Sequence, residues 1–143
     1  MSSTPTFSTQ LIGQTEKTLN AILGRLLADT GLDEPRWVTL TVAVMSGGSA
    51  DREAFASQIA GSVHITEDEA RARIDELTSA GLLEEGSPIR VTDAGKRLQA
   101  RIRSAVVEIT DRLWGDLPPD DLTAASRVLT TVLERANGEL ARI

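Results

Sequence analysis

The chain of 143 residues contains no cysteine and no tyrosine, and only two tryptophans, two phenylalanines and one histidine. Without thiols there is no disulfide framework, no thiolate metal site and no regulation by cysteine oxidation. With so few aromatics, a core has to be assembled from Leu, Ile, Val and Ala, which favours helices with apolar residues three and four apart. Long apolar runs are missing as well. The longest, Val42 to Met45 with its neighbours, falls far short of the roughly 20 residues needed to cross a bilayer. The amino terminus lacks the basic and apolar regions of a signal peptide, so the expectation is a cytoplasmic protein with no membrane partner. Positive charge is also short. Fifteen Lys and Arg face twenty-one Asp and Glu, a net charge of −6, which repels nucleic acid at long range unless cations are gathered locally.

What is present is helical periodicity. At this length one domain is expected, and fraying is expected over the Ser/Thr-rich opening, residues 1 to 8. From Gln10 to Asp29, Ile12, Thr15, Leu19, Ile22, Leu23, Leu26 and Leu27 make one stripe that Gly31 closes. Glu34 and Pro35 suit the first turn of a second helix, with Trp37, Val38, Leu40, Thr41 and Val44 inward and Gly47-Gly48 as its stop. Asp51 caps a short helix over Arg52 to Ala60, which Gly61-Ser62 is expected to break. After the centre of the chain, Asp93 to Trp114 reads as a long helix with Leu98, Ile102, Ala105, Val106, Ile109 and Leu113 on one face. Leu117-Pro118-Pro119 ends it, and Leu122, Ala125, Leu129, Val132, Leu133, Ala136 and Leu140 mark a last amphipathic helix behind Asp120 and Asp121.

The stretch from Ile65 to Gly95 organises the rest. Thr66 and Glu69 have the spacing of a capping box, and Ala70, Ile74, Leu77 and Gly81 recur at steps of four, three and four. One face therefore packs while Glu67, Asp68, Arg71, Asp75 and Glu76 are presented outward. Leu82 to Glu85 is extended, Gly86-Ser87-Pro88 turns, Ile89 to Val91 returns, and Thr92 caps the next helix. By spacing, the pair Arg52 to Ala60 and Thr66 to Ala80 is a helix-turn-helix followed by a hairpin. The fold class is all-α with a small β-hairpin wing: a winged helix-turn-helix lobe at about 34–92, with helices at about 10–30 and 93–142 whose apolar faces bury each other across a two-fold dimer.

Three local patterns, in this order, resemble the MarR family of bacterial transcriptional regulators. PRWVTLTVA is similar to that family's second helix, FASQIAGSVHITEDEARARIDELTSAGLLEE to its helix-turn-helix, and VTDAGKRL to the LT-x-x-G that opens its long fifth helix. The match runs from about Leu11 to Leu140. It implies an obligate homodimer of six-helix protomers, a recognition helix at Thr66 to Ala80 in the major groove of duplex DNA, and often a small-molecule pocket between the dimerisation helices and the DNA-binding lobe. Two departures stand out. The family's wing usually carries a D-x-R whose Arg enters the minor groove, whereas here only Glu84 to Arg90 separates the strand ends and Arg90 is the hairpin's one basic residue. The first turn of the recognition helix is Glu67-Asp68-Glu69, and the helix from Thr66 to Ala80 holds five acids against two arginines. Carboxylates there stabilise the helix through its dipole and remove the anion site usually offered to phosphate.

The candidate DNA-binding residues are Thr66, Glu67, Arg71, Arg73, Arg90, Lys96 and Arg97. Arg71 and Arg73 can donate two hydrogen bonds to a guanine edge; an acid such as Glu67 can accept from cytosine N4. The plainer alternative pairs Arg71 with Asp68 or Asp75 along the helix. Lys96, Arg97, Arg101 and Arg103 form the densest basic cluster, suited to phosphates, to an acidic partner, or to Glu and Asp residues across the dimer, with a solvated face the commonest case. Trp37, with Arg36 beside it, is the candidate wall of a ligand pocket; packing is the default for Trp37 and Trp114. His64 reads as a surface or capping residue. No metal, cofactor or catalytic set is expected: there is no Ser/His/Asp arrangement and no phosphate-binding glycine loop, and the pairs Glu84-Glu85 and Asp120-Asp121 suit a turn and a helix start. The expected function is DNA-binding transcription control with a small-molecule effector. The alternative is a dimer of the same fold that binds a protein or small ligand instead of DNA.

Overall fold

The structure, a computed structural model, describes residues 4–143. Six helices and a small antiparallel sheet follow one another as α1 (Thr9–Leu27), α2 (Glu34–Met45), β1 (Ser49–Ala50), α3 (Arg52–Val63), α4 (Glu67–Ser79), β2 (Leu83–Glu84), β3 (Ile89–Val91), α5 (Asp93–Trp114) and α6 (Pro119–Arg142). The chain divides into two compact units, the first ending at Val106 and the second running from Val107 to Ile143, so that α5 crosses the boundary. The fraying expected of residues 1–8 falls partly outside the described residues; Ser8 itself is ordered as the cap of α1, its hydroxyl accepting from the Leu11 amide at 3.1 Å.

The first unit is built as the apolar spacing requires. Ala70, Ile74 and Leu77 of α4 are fully buried against Phe55, Ala56 and Ile59 of α3 and Leu40 of α2 in one core cluster, joined by Leu27 of α1 and Ile102 of α5. The capping box at Thr66 is complete: its hydroxyl accepts from the Glu69 amide at 3.1 Å while the Glu69 carboxylate accepts from the Thr66 amide at 3.4 Å. Gly81, at φ +78°, lets the chain leave α4, and Leu82 and Leu83 turn inward as the hairpin begins. The Thr92 hydroxyl then donates to the Gly81 carbonyl at 2.7 Å and accepts from the Gly95 amide at 3.0 Å, tying the hairpin's base to the start of α5. Gly95 is needed there because a Cβ would lie 2.3 Å from the Leu82 carbonyl oxygen.

Several boundaries differ from the sequence reading. α3 does not break at Gly61-Ser62 but continues to Val63, and the stop is His64, which adopts the left-handed conformation at φ 56°. Helical bonds outweigh the entropic cost of one glycine near a helix end. The hairpin gains a third strand: Ser49–Ala50 pairs antiparallel with β3, Ser49 opposite Arg90 and Ala50 opposite Ile89, giving the order β1-β3-β2. Two residues are too few to show alternation. Gln99 is buried on the inner face of α5 although its polarity placed it outside the apolar stripe. In the second unit, α6 has no buried residue, and Trp114 is exposed rather than packed.

Candidate nucleic-acid interface

The candidate surface belongs to the first unit and is made by the outer face of α4, the start of α3, the hairpin and the first two turns of α5. α3 and α4 are joined by the short turn at His64 and Ile65, the Ile65 amide donating to the Ala60 carbonyl at 3.1 Å. With its apolar side sealed, α4 presents Glu67, Asp68, Glu69, Ala72, Asp75 and Glu76 to solvent. This is the geometry of a helix-turn-helix, in which the second helix offers its amino-terminal residues to base edges and the first crosses the backbone.

Most of the charges on α4 are engaged. All three nitrogen positions of Arg71 are engaged: Nη1 donates to Asp68 at 2.9 Å, Nη2 to Glu67 at 3.4 Å and Nε to Glu53 at 3.4 Å. Desolvation by its surroundings pushes the Arg71 pKa down, and attraction to Glu53 with the hydrogen bonds to Asp68 and Glu53 outweighs it, leaving the pKa raised. Of the two partners expected for Arg71, Asp68 is met, while Asp75 is taken by Arg52, at 2.9 Å. Glu76, a helical turn beyond Ala72, accepts from Nε of Arg36 on α2, and this bond, followed by the charges of Asp33 and Glu76, raises the Arg36 pKa. α4 is thus fastened to α3 by two ion pairs and to α2 by one. Sequence reasoning missed Arg52, Glu53 and the Arg36–Glu76 pair, because cross-helix partners depend on the packing angle rather than on spacing within one helix.

The other candidates separate by position. Arg73 lies two residues from Arg71 and so faces the other way, lining a cleft with Asp33, Pro35, Arg36, Glu69, Ala72 and Glu76; it makes no ion pair among the described residues. Thr66 spends its hydroxyl on the capping box. Arg90 and Lys96 are brought together: both line a cleft at the hairpin's root with Gly48, Ser49, Glu84 and Asp93. Arg97 is exposed on the next position of α5. Arg36 and Trp37 are not brought together. Neither of two clefts that Arg36 lines includes Trp37, which is 8% exposed within the core. His64 is exposed at the end of α3, and no group of three metal-ligating side chains occurs among the described residues. Among the described residues, no helix is long and apolar enough to cross a membrane.

Three helices with a three-stranded wing, flanked by longer helices, define a winged helix-turn-helix protein. Solved structures place the fold more narrowly. A MarR family transcriptional regulator from Silicibacter pomeroyi superposes with a TM-score of 0.75 at 20% identity, over 92% of this chain and 90% of that one. CouR from Rhodococcus jostii, bound to p-coumaroyl-CoA, gives 0.73 at 17% identity over 85% and 88%. A Mycobacterium tuberculosis MarR family protein in complex with DNA gives 0.69 at 19% identity over 90% and 98%. The chain therefore has the MarR-type winged-helix fold. No family model matches the chain, and no curated protein matches it.

Proposed function

We propose that this protein is a non-enzymatic transcriptional regulator that binds a pseudo-palindromic duplex site as a homodimer. The observation that carries the reading is the presented outer face of α4 on a MarR-type lobe, flanked by Arg73, Arg90, Lys96 and Arg97, none of which makes an ion pair among the described residues. The lobe spans about residues 34–92. The helices at about 10–30 and 93–142 supply the dimer faces, and Val128, Leu129, Val132, Leu133 and Leu140 are exposed along α6, an apolar row that a second copy would cover. Neighbours solved with DNA and with p-coumaroyl-CoA support control by a small-molecule effector. Such an effector changes DNA affinity only by binding the two dimer shapes unequally; of the two candidate residues, Arg36 lines clefts beside α4, whereas Trp37 is buried in the core.

Selection from random duplexes at low salt tests the reading. The expected result is an enriched two-fold site whose affinity falls steeply with salt. Absence of both overturns it. A second reading, a dimer of the same fold that binds a protein or small ligand, is favoured by five acids against two arginines over Thr66–Ala80 and by the tethering of Arg71. It is the reading left standing if no duplex binds.

A further inference from the structure

Glu53 stands on α3, outside the helix that would enter the groove, yet its carboxylate accepts from Nε of Arg71 at 3.4 Å. Among the described residues no other basic side chain is shared by three carboxylates. An arginine reads guanine by donating two parallel N–H bonds from adjacent nitrogens to O6 and N7. In Arg71 the adjacent pair Nε and Nη2 already donates to Glu53 and Glu67, and Nη1 to Asp68. Reading a base therefore requires exchange of one set of acceptors for another.

We propose that Glu53 is a specificity-determining residue of the DNA-binding surface, which competes for Arg71 and so sets how strongly one base pair in each half-site is read. This rests on the DNA-binding reading. The sign follows from comparing two complexes. Where guanine occupies the position, Arg71 leaves its carboxylates, and the cost of leaving is subtracted from the guanine contact. Where another base occupies it, Arg71 stays with its carboxylates and nothing is subtracted. Discrimination at that position equals the guanine contact less the cost of leaving, so weakening the competitor sharpens it. The general gain from removing one negative charge falls on all sequences alike and cancels from the comparison. Glu53 is suited to the test because its side chain is 66% exposed and takes no part in the core. Glu67 and Asp68 lie in the first turn of α4, where substitution would alter the start of the reading helix itself, whereas Glu53 lies in the first turn of α3.

The experiment is a random-duplex selection, quantified position by position, on the full-length wild type, Glu53→Gln, Arg71→Ala and the double variant. Glu53→Gln is expected to raise the guanine preference at one position of each half-site by about two- to five-fold, the scale of one exposed ion pair. Arg71→Ala and the double variant are expected to show no preference there, which a general charge effect would not produce. An unchanged preference in Glu53→Gln, or a gain that survives in the double variant, overturns the inference and leaves DNA binding standing. A fall in preference also overturns it, by making Glu53 a support for Arg71 rather than a competitor. No enriched site in any of the four proteins overturns the inference and the DNA-binding reading together.

Discussion

Helices α4 and α6 carry the same kind of amphipathic stripe and meet opposite fates. In α4, Ala70, Ile74 and Leu77 are 0% exposed, and the helix is fully used: one side is sealed by α2 and α3, the other is covered with charge. In α6, a helix of 24 residues has no buried residue, and Leu133 is 60% exposed. The difference teaches that an apolar stripe states only that something must cover it, not what does. For α4 the cover is the chain itself, within a few dozen residues. For α6 the proposed cover is a second molecule.

The contrast breaks most sharply at Ile74. Truncation to Ala leaves a cavity where α2, α3 and α4 meet, and such changes cost about 2–5 kcal/mol because the surroundings collapse only partly. Thermal unfolding of Ile74→Ala should show a clear drop in midpoint. A midpoint within a degree or two of the wild type would mean that the α4 face is not the sealed one.

The same type of residue in α6 should behave differently. Leu133→Asp changes a side chain that is 60% exposed in the protomer, and it places a carboxylate in the middle of the row proposed to meet a second copy, where an unpaired charge is costly to desolvate. The dimer dissociation constant should rise about ten-fold or more, equivalent to about 1.4 kcal/mol. Sedimentation equilibrium across a dilution series reads this directly. An unchanged monomer–dimer balance would place the dimer face elsewhere.

How far the sequence carried these distinctions depends on the range of the interaction that decides them. Local features were legible: the Thr66–Glu69 capping box, the exit at Gly81 and the Thr92 cap are set by residues three or four apart, and each stands where the spacing placed it. Features decided by a distant partner were not. Ser49–Ala50 becomes a strand only because β3 arrives beside it, and Gln99 is buried despite its amide because of where α5 meets the lobe. The candidate site divides along the same line. Arg71 and Arg73 are both evident as cations on α4. That the first is caged by Glu53 while the second lines another cleft follows from the docking of α3 and α2, which no pattern within α4 encodes.

The smallest expected effect sharpens the comparison on the polar side. The charge on α4 is mostly engaged, within α4 or by α2 and α3, whereas Lys96 in the first turns of α5 makes no ion pair among the described residues and shares its cleft with Arg90. A cation in that state is available to phosphate, and binding it releases a counterion, so its contribution shows in the salt dependence more than in sequence preference. Lys96→Ala should weaken binding of every duplex by a similar few-fold factor and reduce the slope of log affinity against log salt by about 1, leaving the preferred site unchanged. A slope equal to that of the wild type would remove Lys96 from the interface and leave Arg73 and Arg97 to supply the charge that α4 withholds. A change in the preferred site would instead mean that the root of the hairpin reads bases, and that the division between a charge-spent recognition helix and a charge-bearing α5 has been drawn one element too early.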